Sequence, residues 1–183
     1  MCGAKLFSRL KLACAAAAIA AFGMALPVHA ESTPVGAETV VVTPLSFIEV
    51  DDLKFGTIIP STTSGGNVVL APDGTRTANN GIILVGNSHS VAEFAGQGTQ
   101  NQIVDISVGA NTIWLYGPGP RMRVRRFRIG STPTTLLTTT PRFFRIGSPT
   151  GIFRFPVGAE LRVRRNQPAG LYTGTWDITL NYQ

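Results

Sequence analysis

Cysteine is the first thing this sequence lacks. Its two cysteines, Cys2 and Cys14, both fall within the first thirty of 183 residues. Those thirty have the layout of a secretory signal peptide: Lys5, Arg9 and Lys11, an apolar run over 12–26, then Val28-His29-Ala30. Cleavage is expected near Ala30, which places the protein in the periplasm, at the cell surface or outside the cell. The run is shorter than the roughly 20 apolar residues of a membrane helix, so an integral membrane protein is not expected. Lys11 stands where a lipoprotein motif wants an aliphatic residue, which argues against lipidation at Cys14. Without cysteine, residues 31–183 must hold together by their core alone. A chain of that length buries roughly 68–70% of its unfolded surface as one domain, which is enough.

Histidine is nearly as scarce. Beyond Ala30 the only one is His89, in "GNSHSVAEF". A serine nucleophile needs a histidine base and an orienting carboxylate, but Ser88 and Ser90 sit too close to His89 in sequence. No G-x-S-x-G elbow occurs. The one adjacent acidic pair, Asp51-Asp52, points to opposite sides of a strand and makes a poor acid/base pair. Asp51, Asp52 and Asp73 lack the spacing of a calcium loop, and one histidine without cysteine excludes a zinc set. No phosphate-cradling glycine loop is present. We therefore expect no catalytic residues, no metal, no cofactor and no enzyme activity.

Charge is present but uneven. The net charge of +6 falls to +3 once Lys5, Arg9 and Lys11 leave with the signal. Residues 31–120 carry two bases against eight acids, and residues 121–183 carry eleven arginines against Glu160 and Asp177.

No amphipathic helix is visible after Ala30. Val, Ile, Thr and Phe alternate in short runs, broken by "APDGT", "NNG", "GPGP" and "NQPAG". That pattern is the all-β signature, and so many short strands point to a two-layer sandwich, with a closed barrel as the alternative. Strands are expected over 39–50, 121–129, 152–157, 160–164 and 171–182, among others. "FRIGSTPT" at 127–134 returns as "FRIGSPT" at 144–150, which reads as two strand ends with the same local turn.

The arginine-rich run "RMRVRRFRIG" carries a phase change. Met122 and Val124 alternate with Arg121, Arg123 and Arg125, but the apolar phase then slips to Phe127 and Ile129, leaving Arg126 and Arg128 outside. The slip predicts a β-bulge near Arg125–Arg126. Downstream, Arg154 separates two phenylalanines, and Arg162 and Arg164 flank Val163. On neighbouring strands these arginines would form one basic face, fit for an anionic glycan, lipid or lipopolysaccharide. The plain reading is a solvated face that discourages edge-to-edge pairing. An exported chain gives no reason to expect nucleic acid.

The chain ends in "AGLYTGTWDITLNYQ". Tyr172, Gly174, Trp176, Ile178, Leu180 and Tyr182 share one face of that expected strand. Tyr182 is penultimate, and Gly170 stands fourteenth from the end. This layout resembles the ending of chaperone–usher pilin subunits. Over about 45–183 the sequence also resembles a bacterial family of exported β domains, the domain of unknown function 4402. The marks are Phe55-Gly56, 72–74, Val157-Gly158, Leu161, Val163, Gly170, Tyr172, Gly174 and Tyr182.

The resemblance implies a pilin-like, immunoglobulin-like antiparallel sandwich over 45–183, without its last strand. Gly170, Tyr172, Trp176, Ile178, Leu180 and Tyr182 would then wall an assembly groove. A neighbour's tail, residues 31–44, would fill that groove by strand addition, with Val35, Ala37, Thr39 and Val41 as anchors. Self-assembly with a periplasmic chaperone and usher follows, in a role at the cell surface such as adhesion. The chain departs from the pattern at 121–154, which is rich in Arg and Phe, and Pro44 interrupts the tail. In the alternative, residues 39–50 pair with the chain's own terminal strand to complete a monomeric, envelope-binding module.

Overall fold

The computed structural model describes residues 39–130 and 133–183. Among them there is no helix, and thirteen strands form antiparallel sheets with no barrel. In chain order the strands are β1 Ser46–Asp51, β2 Thr57–Ile59, β3 Gly66–Leu70, β4 Arg76–Ala78, β5 Ile83–Val85, β6 Ala92–Gln97 and β7 Ile103–Val108. They continue as β8 Thr112–Leu115, β9 Met122–Ile129, β10 Thr135–Leu136, β11 Arg142–Arg145, β12 Ile152–Val163 and β13 Ile178–Tyr182.

The large sheet is organised around β12. The first half of β12 pairs with β6, which carries β1 at the edge. Its second half lies between β3, which carries β4, and β9, which carries β8 and β10. A three-stranded sheet runs β11-β7-β13, and β2 and β5 make a separate ribbon. Apolar faces from both larger sheets meet in one sandwich-like core. Val68, Leu70, Val124, Phe127, Val157, Leu161 and Val163 enter it from the large sheet, and Val104, Ile106, Val108 and Leu180 from the small one.

Sequence patterning explains these strands. The inward set Phe155, Val157, Ala159, Leu161 and Val163 keeps one phase through Gly158, so β12 is a single long strand. Splitting it into 152–157 and 160–164 was unwarranted. The phase slip in the arginine run is also physical. Gly158 faces Arg128 and Glu160 faces Arg125, so β9 holds one extra residue, Arg126, with φ of +54°. This is the expected bulge, and it returns Phe127 to the core at 0% exposure. The two copies of the repeat end strands in different sheets, β9 and β11.

Two strand expectations fail at their ends. Residues 39–45 form no ladder. Pro44 has no N–H to give, and β1 starts only at Ser46, pairing with β6 rather than the terminal strand. The terminal ladder is Ile178–Tyr182 alone, against β7. Upstream, only Thr173 bridges, to Tyr116. Trp176 leaves the strand line to stack on Phe127, ring centroids 4.8 Å apart, and meets Phe94 edge-on at 5.8 Å. Such aromatic pairs contribute about 0.5–1.5 kcal/mol beyond burial, which rewards the departure.

Candidate functional site

The terminal segment lines an open cleft of about 950 Å³. Its floor is core. Ile113 and Leu115 of β8, Met122 and Val124 of β9, and Leu161 and Val163 of β12 all face it from the large sheet. One wall is the stretch 52–60, with Leu53, Phe55 and Ile58. The other is 167–176, with Tyr172 and Trp176. These walls come from opposite ends of the sequence.

The second wall is held in place by local packing. Tyr172 donates its hydroxyl to the Pro168 carbonyl at 2.9 Å and lies against the turn of Gly117 to Gly119. Gly170 has φ of +142°, and a side chain there would collide with the Pro118 ring. Glycine is the residue that tolerates both conditions. Gln167 is 8% exposed, and its amide donates to the Pro120 carbonyl. A carbonyl can only accept, so this bond fixes the orientation of the amide. The other end, Oε1, is a buried acceptor with no partner among the described residues. At the rim, Lys54 donates hydrogen bonds to Asp51 and then Asp52, and these raise its pKa.

Of the expected groove residues, Gly170, Tyr172 and Trp176 line the cleft, and Ile178, Leu180 and Tyr182 do not. Those three lie on β13, with Leu180 buried in the core between the sheets. Of the expected anchors, Thr39 and Val41 are exposed and in no strand, while Val35 and Ala37 lie outside the described residues. Leu53, Phe55 and Ile58 were missed as a wall. The alternation of Leu53 and Phe55 in "LKFGTII" was the available signal.

The basic face gathers some arginines and not others. Arg123 faces Arg162 and Arg125 faces Glu160 across β9 and β12. Glu160, 5% exposed, accepts from Arg125 at 2.7 and 3.1 Å and from Arg126 at 3.2 Å. Arg128 follows on the same side of β9, and Arg121 lies 4.0 Å over the Trp114 ring. Arg154 lies toward the other end of β12, paired with Glu93 at 3.1 Å, and Arg164 is exposed just past the strand. His89 lies 3.2 Å from the Gly74 carbonyl through Nε2, and Ser90 donates to the Asp52 carbonyl at 2.7 Å.

A family model described as a domain of unknown function, DUF4402, matches residues 45–182. The chain belongs to that family. No curated protein and no solved structure matches it. In this DUF4402 domain, several of the sequence marks that carried the resemblance surround the cleft: Phe55, Gly56, Leu161, Val163, Gly170, Tyr172 and Gly174. Another, Gly158, passes so close to the turn at 70–72 that a side chain would strike the Leu70 carbonyl. No helix among the described residues is long and apolar enough to cross a membrane.

Proposed function

We propose that this protein is an exported, non-enzymatic structural subunit, pilin-like, which assembles by donating an N-terminal strand to a neighbouring copy. The cleft carries this reading. Its walls at 52–60 and 167–176 stand apart over Met122, Val124, Leu161 and Val163, which are themselves buried, so the cleft lies directly above the core. An extended peptide with alternate apolar side chains fits such a trench, each Val-sized anchor contributing about 1.5–3 kcal/mol.

Two further features support it. Gln167 offers a buried acceptor for an incoming N–H. Val40 and Val41, 74% and 88% exposed, are apolar side chains without cover. On this reading the domain is an immunoglobulin-like sandwich short of one strand, and residues 1–30 are removed on export. A periplasmic chaperone and an usher attend assembly, because an open trench is an aggregation hazard. Head-to-tail donation does not close on itself, so the product is a filament.

The test is deletion of residues 31–43. The deleted protein should stay folded and elute as a monomer, where the undeleted protein gives larger species and fibres by electron microscopy. Identical assembly of both would sink the proposal. A peptide of residues 31–44 should bind the deleted form and change the fluorescence of Trp176.

A further inference from the structure

The outer face of the large sheet holds a feature independent of the cleft. Strand registers set Trp114 opposite Arg123, Arg123 opposite Arg162, and Arg162 opposite Asn67. Arg162 donates to Asn67 Oδ1 at 3.2 Å. Arg121 stacks on Trp114, and Arg128 continues the row along β9. Glu160 is taken up by Arg125 and Arg126. Among the described residues, Arg121, Arg123, Arg128 and Arg162 therefore have no carboxylate within salt-bridge distance.

These like charges are crowded. Adjacent strands lie about 4.8 Å apart and alternate residues roughly 6.7 Å along a strand. Both distances, which separate Arg123 from Arg162 and from Arg121, are below the Debye length of about 8 Å at physiological salt, and Arg123 and Arg162 are partly shielded from solvent. The face repels itself in the free domain, and a ligand with regularly spaced negative groups relieves that repulsion.

We propose that this face binds a linear anionic polysaccharide through its carboxylate or sulfate groups. Arginine forks bind such groups in pairs of parallel hydrogen bonds. Trp114 preorganises one fork by holding the Arg121 guanidinium over its ring, 4.0 Å from the centroid. The same stack disfavours single-stranded nucleic acid, which needs open aromatic faces for its bases. A bilayer presents a flat plane of charge, whereas antiparallel sheets carry a twist that turns a strip of side chains along them. A flexible chain follows the strip where a plane cannot.

Titration calorimetry of the full chain at low salt tests the assignment. The probes are polygalacturonate, heparin, neutral dextran, oligo-deoxythymidylate, and vesicles of phosphatidylcholine with phosphatidylglycerol. Heat with polygalacturonate shows that carboxylates suffice, and heat with heparin but not with polygalacturonate assigns sulfates. Dextran should give none, and added salt should weaken the binding. Exchanging Arg123→Glu with Arg162→Glu should weaken it by roughly tenfold or more, the size of lost charge-assisted hydrogen bonds. If that pair does not fold, the Arg123→Gln, Arg162→Gln pair replaces it. Arg154→Glu, away from the row, should change little. Binding to neither anionic polysaccharide, an equal loss in the Arg154→Glu control, or tighter binding to the oligonucleotide or the vesicles would overturn the proposal. Polymerisation of the protein has no bearing on these outcomes.

Discussion

The hydroxyl of Tyr182 lies 2.7 Å from the carbonyl oxygen of Thr43 and accepts the backbone N–H of Thr99, also at 2.7 Å. The Thr43 N–H in turn donates to the Thr99 hydroxyl at 2.6 Å. The penultimate tyrosine thus ties the end of the N-terminal tail to the loop before β7. It holds Thr43 to the domain while Val40 and Val41 stay exposed.

Tyr182→Phe keeps the ring and removes the latch. The variant should lose about 1–2 kcal/mol, because two backbone groups give up their shared partner but can reach water. Denaturant unfolding measures the loss. Hydrogen exchange at Thr43 and Leu45 should rise more than exchange along β7. A uniform rise across the domain would mean that the hydroxyl has no local tethering role.

Glu160 is a buried carboxylate on a face crowded with arginine, and its two partners are unequal. The side chain of Arg125 is 31% exposed and that of Arg126 is 53% exposed. Glu160→Gln keeps the shape and removes the charge, leaving two guanidiniums beside Arg123 and Arg162. Full burial of such a pair would put the cost at about 3–5 kcal/mol, and solvent at both arginines reduces it to about 1–3. The shift in urea midpoint checks this. The cost should shrink in high salt, which screens the uncovered arginines.

Arg126 occupies the bulge with φ of +54°, a conformation that costs a non-glycine residue about 1–2 kcal/mol. Arg126→Gly relieves that cost and loses one half-exposed ion pair, so its net effect should fall within about 1 kcal/mol of zero. Arg125→Gly sits in ordinary strand geometry, loses the closer pair to Glu160 and should be clearly destabilising. Equal losses at both positions would argue against the bulge.

How much of this was legible follows from how local each feature is. The bulge was readable because it lies in four consecutive residues, where Val124 and Phe127 fix the two apolar phases. The all-β class was readable for the same reason, since alternation and turn residues are local. The cleft was not, because its walls around Phe55 and Tyr172 meet only through tertiary packing. The terminal strand was over-read. Perfect alternation from Tyr172 to Tyr182 satisfies a strand, but it carries no sign of the Phe127 ring that draws Trp176 out of line. Glu160 gave no sign of its burial, since that depends on Arg125 arriving opposite it from a separate strand.

Gly170 tests whether the wall at 167–176 is built as described. Its φ of +142° and its contact with the Pro118 ring both oppose a side chain. Gly170→Ala should cost about 1–3 kcal/mol, the usual size for a side chain forced into a strained backbone position. Gly147 supplies the control, with open space around it and no positive φ, so Gly147→Ala should be neutral or slightly stabilising. The damage at Gly170 should also be directional. Pushing the segment off Pro118 moves Tyr172 and the bridge between Thr173 and Tyr116, so exchange at Tyr116 and Thr173 should rise before that of β13. If Gly170→Ala instead leaves stability and exchange unchanged, the wall is not pinned at Pro118, and the width of the cleft is set by Trp176 on Phe127 alone.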